Sequence, residues 1–160
     1  MATKQTQKKP ARRLAYKLRR SPIQGRGAFA TRRIRRGERI VEYRGERITG
    51  READRRYPPP KPGQHHHTFL FDLDNGQVID AAVGGNSARF INHSCNPNCE
   101  SVIEDDRVFI DAIREIRPGE ELVYDYHFIL DEPHTPANKK AYPCSCGARN
   151  CRGTILGRKR

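Results

Sequence analysis

The sequence predicts a mainly β fold in a single domain, and three observations carry that expectation. Six short runs of β-branched and aromatic residues alternate apolar with polar positions and end at Gly, Asp or Asn, which is how half-buried strands read. Only one stretch, about Arg51 to Tyr57, has the composition of a helix. A chain of 160 residues with 35% hydrophobic and 31% charged content builds one core of ordinary size but not two.

The elements follow in chain order. Up to Gly37 there are thirteen of the chain's 31 Lys and Arg and no acid, which leaves 18 basic against 19 acidic residues in the rest. The net charge of +12 is thus an amino-terminal property. Residues 1–20 read as a basic tail: a solubilising extension, or a weak, nonspecific and salt-sensitive contact for DNA or another polyanion. The strand candidates are GAFATRRI, ERIVEYRG, HTFLFDL, GQVIDA, RVFIDAI and ELVYDY. The helix lies between the second and third of these, followed by YPPPKPGQHHH, Tyr57 to His67. Its prolines bar it from a central strand, and its adjacent histidines read as loop residues, since neighbours in a flexible loop rarely converge on one ion. No apolar run approaches the roughly 20 residues of a membrane span, and the amino terminus has no apolar signal segment. A soluble intracellular protein with no membrane partner is expected.

Five cysteines in an intracellular chain argue for metal binding or catalysis over disulfides. CSCGARNC places Cys144, Cys146 and Cys151 within eight residues, and Gly147 permits a tight turn that aims two of them at one ion. A structural zinc ion takes four ligands, so a fourth must come from Cys95 or Cys99, both in the polar stretch RFINHSCNPNCE, Arg89 to Glu100. Taken alone, Asn92 and Asn96 read as turn residues and His93 as a satisfied core histidine.

The ordered set RFINHSCNPNC, ELVYDY and CSCGARNC, preceded by GRGAF (Gly25 to Phe29) and EYRGE (Glu42 to Glu46), resembles a SET-domain protein lysine methyltransferase with its post-SET zinc segment. The spacing is most similar to the mixed-lineage-leukaemia-type branch. The resemblance runs from about Ser21 to Gly153 and implies a SET domain over 21–130 and a post-SET segment with a basic end over 131–160. It implies a fold of small β-sheets in which ELVYDY threads under the RFINHSC loop in a pseudoknot-like arrangement. It implies S-adenosylmethionine as cofactor, held by Ile23, Gln24, Arg26, Gly27, Ala28, Arg89, Asn92, His93 and Tyr126, and one zinc ion on Cys95, Cys144, Cys146 and Cys151. Cys99 is left as a small buried hydrophobe.

Methyl transfer from a sulfonium to an amine needs a neutral ε-amine aligned with the methyl group and shielded from water. An apolar aromatic channel beside a cationic sulfonium favours the neutral amine. Tyr43, Phe69, Tyr124 and Phe128 are the candidate channel walls, Tyr126 matches the tyrosine usually called catalytic, and Tyr43 and Tyr124 join it as catalytic candidates. Phe69 stands where close relatives carry a tyrosine. Ordinary core packing is the alternative for each aromatic. The expected substrate is a lysine of a histone or another basic, chromatin-associated protein. Acids of the body (Glu46, Glu52, Asp54, Asp72, Asp74) are expected to face a positively charged substrate. The rival classes are a catalytically weak SET-like binding module and a zinc-containing nucleic-acid-binding protein. The expected location is the nucleus or chromosome in a eukaryotic or host cell, otherwise the bacterial cytoplasm. ATKQTQKKPARR also resembles the start of a core-histone tail, which makes Lys4 a self-methylation candidate.

Overall fold

The computed structural model describes residues 12–61, 63–64 and 67–159, so Lys4 and two of the three adjacent histidines, His65 and His66, lie outside the described residues. Among the described residues, three small sheets carry ten strands. The first pairs β1 (Tyr16–Arg20) with β2 (Arg26–Ala30) antiparallel, Tyr16 opposite Ala30 and Arg20 opposite Arg26. Strand β1 falls inside the run read as basic tail. Its inward Tyr16 is buried and Leu18 half-buried, but Lys17 and Arg19 fill the outward positions and make the alternation look like plain charge.

The second sheet has the order β3-β9-β8-β10-β7, from β3 (Arg39–Tyr43), β7 (Asn92–His93), β8 (Cys99–Glu104), β9 (Arg107–Ala112) and β10 (Val123–Tyr124). In β9 the alternation is clean: Val108, Ile110 and Ala112 point inward and are buried. The β8–β9 turn places Asp105 and Asp106 at φ +49° and +58°, the left-handed region that short acidic side chains tolerate and a tight hairpin requires. The third sheet, β4-β6-β5, joins β4 (Glu46–Thr49), β5 (Leu70–Asp72) and β6 (Gln77–Asp80).

Two short helices complete the fold. Helix α1 (Gly50–Arg56) is capped by the Thr49 hydroxyl, which accepts from Glu52 N–H at 3.1 Å. It is fastened to the third sheet by the fully buried Asp80 carboxylate, which accepts from Arg56 at 3.0 Å and the Tyr57 hydroxyl at 3.0 Å. Helix α2 (Pro136–Ala141) starts at a Thr135 cap with proline in its first turn. The main core contains Ile34, Val108, Ile110, Ile116 and Leu122, all at 0% exposure, with Cys99 among them. Among the described residues no helix is long and apolar enough to cross a membrane.

The topology that positions the site is the placement of β10. It runs parallel to both β7 and β8, Tyr124 opposite His93 on one side and Cys99 on the other. Since β7 and β8 are joined by only residues 94–98, the ELVYDY segment passes beneath that short loop, the threading expected of it. Asn98 secures the passage. Its amide donates to Glu121 O at 2.8 Å, its side-chain oxygen accepts from Val123 N at 2.9 Å, and its own N–H reaches Val123 O at 3.2 Å.

Candidate active site and metal centre

The polar stretch around the loop sends its side chains to different tasks. A 3-10 turn, Ser87–Phe90, leads into β7. The Asn92 amide donates to Glu121 Oε1 at 2.9 Å and to the carbonyls of Gln24 and Arg26, each at 3.2 Å. Glu121 also accepts from the Ser21 hydroxyl at 2.8 Å, and its carboxylate fills the space that a Gly27 side chain would need, with Oε1 only 2.1 Å from an ideal Cβ. The glycine requirement at Gly27 is therefore set by Glu121.

His93 is buried, and burial lowers its pKa to about 4, against the opposing pull of Asp125. Its Nδ1 accepts from Tyr126 N–H at 3.1 Å, so the proton sits on Nε2, which lies 3.5 Å from Cys95 Sγ. Both ring nitrogens are used within the protein. What His93 keeps for a ligand is its main chain: β7 is a sheet edge, Ser94 N–H bonds Tyr124 O, and strand alternation turns the His93 N–H and C=O to the open side.

A cavity of about 1000 Å³ opens beside β7. Ile23, Gln24, Arg26, Arg89, Asn92, His93 and Tyr126 line it, as do Tyr43, Phe69, Tyr124 and Phe128. Gly27 and Ala28 do not; Ala28 is fully buried in β2, where its carbonyl accepts from Leu122 N–H at 2.7 Å. The Tyr124 and Tyr126 rings are 4.7 Å apart. The Tyr126 hydroxyl donates to Ile91 O at 2.6 Å and that of Tyr43 to Phe69 O at 3.0 Å. Among the described residues the Tyr124 hydroxyl has no hydrogen-bond partner. Burial pushes all three phenols up, with the Asp80 charge adding to it at Tyr43, so they stay neutral. Asp72 and Asp74 also reach the cavity, whereas Glu46 and Glu52 are engaged by Arg56 at 2.8 and 2.9 Å and do not line it.

The carboxyl-terminal segment closes one wall with Pro143, Cys144, Ser145 and Ile155. It is held by a parallel bridge from Phe128 to Leu156 and by the bond from Gly157 N–H to Phe128 O at 2.8 Å. The sulfurs of Cys95, Cys144, Cys146 and Cys151 lie within 4.8 Å of one another. Tetrahedral zinc with Zn–S of about 2.3 Å sets thiolates about 3.8 Å apart, and Cys95 to Cys144 measures 3.8 Å. Main-chain N–H groups of Arg152 and Gly153 point at Cys95 and Cys151 sulfurs, each at 3.4 Å, as suits negative thiolates. These four cysteines could hold a metal ion. Cys99 is apart from them in the core, its thiol pushed up to about 12 by burial, and it is Cys95 that joins the cluster.

Four residues with central contacts were missed in the sequence. Asn98 and Glu121 are polar residues that the quoted motifs do not single out. Asp125, between the two tyrosines, accepts both arms of the Arg152 guanidinium at 2.7 and 3.0 Å. Burial pushes the Asp125 carboxyl up, but Arg152 and the His127 N–H outweigh that and hold it below its ordinary value. The only available signal was position: each polar residue sits inside or beside a motif, at NPNC, EELVYDY or NCRG.

A SET-domain profile matches residues 25–127, the span that holds the threaded strand and most of the cavity wall. The chain belongs to the SET-domain family. The chain is 42% identical over 140 residues to the histone-lysine N-methyltransferase trithorax of Drosophila virilis, covering 83% of this chain and 3% of that protein. It is 44% identical over 140 residues to the histone-lysine N-methyltransferase trr of Drosophila melanogaster, covering 84% and 6%. With the H3 lysine-4 specific histone-lysine N-methyltransferase of Mycosarcoma maydis it shares 37% identity over 145 residues, covering 88% and 10%. The chain thus spans a tenth or less of the length of these relatives.

Proposed function

We propose that the protein is an S-adenosylmethionine-dependent protein lysine N-methyltransferase acting on a histone or another basic, chromatin-associated protein, inside the cell and at the chromosome where there is chromatin to meet. The observation that carries this reading is the Tyr43–Tyr124–Tyr126 wall beside the open edge of β7, within one cavity. The outward N–H and C=O of His93 offer a donor and an acceptor that match the acceptor and donor edge of an adenine ring. Arg26 and Arg89, whose guanidinium carbons lie 5.2 and 4.8 Å from the Phe90 ring centre, bring positive charge for a carboxylate. When bound, the cofactor supplies an electrophilic methyl group on a sulfonium.

The residues then divide the work. Aromatic walls strip water from the lysine stem and disfavour the protonated amine. The Tyr126 hydroxyl donates its hydrogen bond to Ile91 O and its raised pKa keeps it protonated, so it acts by positioning through its oxygen lone pair and does not serve as the base. Tyr43, fixed by Phe69 O, shapes the opposite wall. Asp72 and Asp74 suit a substrate with basic residues near its target lysine. Zinc on the four thiolates would hold the carboxyl-terminal wall in place. The charge concentrated before Gly37 adds a general attraction for polyanions.

The test is incubation of the protein with radiolabelled cofactor and core histones, followed by mass spectrometry of the labelled band, alongside calorimetric titration of the cofactor. Labelled lysine together with measurable cofactor binding is expected. Absence of cofactor binding by the folded, zinc-replete protein refutes the proposal.

A further inference from the structure

We propose that the exposed face made by β1 and the turn between β2 and β3 binds the phosphate backbone of duplex DNA. The inference is independent of the methyl-transfer reading, because none of its residues lines the large cavity. Arg12, Arg13 and Arg32 share the walls of a small depression of about 150 Å³. Thr31 N–H bonds Ala15 O at 2.9 Å, which fixes the 31–37 turn against the start of β1. The outward positions of β1 continue the same face with Lys17 and Arg19, and the turn adds Arg35 and Arg36, all exposed.

Charge pairing on this face is incomplete. Arg32 pairs with Glu38 and Arg33 with Glu115, while Arg12, Arg13, Lys17, Arg19, Arg35 and Arg36 form no ion pair among the described residues. Arg39, which also lines the depression, is matched by Glu104 and Asp111, and away from this face Arg107 holds Glu42. Arginine forks suit phosphate oxygens. A protein partner would want an apolar or aromatic centre, and the face offers only Leu14 as a large exposed hydrophobe, Arg19 lying over Phe29 at 5.0 Å. A single strand would want bare aromatics for base stacking, which the face lacks. A spread of unpaired cations without an apolar anchor fits the regularly spaced charges of a duplex.

The test is fluorescence anisotropy of the full chain with a short DNA duplex at several salt concentrations. Each phosphate contact contributes about −0.9 to the slope of log affinity against log salt. The variant Arg12→Gln, Arg13→Gln, Lys17→Gln, Arg36→Gln is expected to flatten that slope by up to about 3.6 and to weaken binding more than tenfold at about 0.1 M salt. Its methyl transfer to a free histone peptide and its unfolding transition should match wild type. A second variant, Lys4→Gln, Lys8→Gln, Lys9→Gln, separates face from tail and is expected to lose less. The proposal is overturned if the four-residue variant binds like wild type, if the tail variant alone abolishes binding, or if polyglutamate or anionic vesicles displace the duplex as well as unlabelled duplex does.

Discussion

Replacing Arg152 with Ala should loosen the carboxyl-terminal wall while leaving the β-sheets folded. Arg152 and Asp125 form the one ion pair, among the described residues, that ties the Cys144–Lys159 segment to the stretch 124–126, at the end of β10, that carries Tyr124 and Tyr126. Breaking a fully buried, hydrogen-bonded pair by removing one partner costs about 3–5 kcal/mol. Here the side chains are 22% and 11% exposed, and Asp125 retains its bond from His127 N–H at 3.0 Å, so solvent and the remaining donor reduce the loss to about 2 kcal/mol. If that energy is spent on holding the segment closed, zinc should leave about 30-fold faster in a chelator chase, since about 1.4 kcal/mol is tenfold. The KM for cofactor should rise more than kcat falls. Asp125→Asn should give part of the effect, and the double variant should cost little more than Arg152→Ala alone. A coupling energy near zero in that cycle, with wild-type zinc retention, would refute the latch.

Three further outcomes are expected. Tyr124→Phe should shift the product on one peptide from mostly monomethyl-lysine toward di- and trimethyl-lysine with cofactor binding unchanged, because the unpartnered Tyr124 hydroxyl is where a water or the amine can be held; equal product distributions by mass spectrometry at comparable turnover would discount it. Asn98→Ala should destabilise the fold by about 3 kcal/mol or more in chemical denaturation, as Glu121 O and Val123 N both lose a buried partner, and a loss under about 1 kcal/mol would deny it a part in securing the threaded strand. Chelation, or Cys146→Ser, should abolish methyl transfer yet keep most strand signal in circular dichroism; full activity after verified zinc removal would contradict a metal-held wall.

Most of the strands were legible because period-two alternation survives in single sequences, and β9 shows it most plainly. Where polar motifs override the pattern it fails. Strand β8 begins in the NPNC turn and is largely exposed or half-buried, β1 hides under its basic residues, and α2 is six residues without a large apolar side chain, held by a cap. The threading was legible only through the resemblance, since nothing in ELVYDY itself says that it pairs in parallel with strands about 30 residues upstream on one side and about 25 on the other. The cysteines left two candidates for a fourth metal-ligand position, and the structure brings Cys95 Sγ within 4.8 Å of the other three sulfurs while Cys99 sits in the core.

The contacts that escaped the sequence are the ones that join motifs to each other. Asn92 looks like a ligand-facing residue, yet its amide is occupied by Glu121 and by the main chain on either side of Gly25. That contact fixes the turn bearing Ile23 and Gln24 relative to β7. His93 spans Tyr126 N–H and Cys95 Sγ, so one neutral imidazole connects the backbone beneath the catalytic tyrosine candidate to a zinc-ligand candidate. Arg152 closes the circuit from the other side, with its N–H on Cys95 Sγ and its guanidinium on Asp125. The open edge of β7, the aromatic wall and the thiolate cluster are therefore adjacent faces of one hydrogen-bonded unit built around the short loop 94–98, and a disturbance at the thiolates has a covalent and hydrogen-bonded route, through His93 two residues from Cys95, to the backbone of Tyr126.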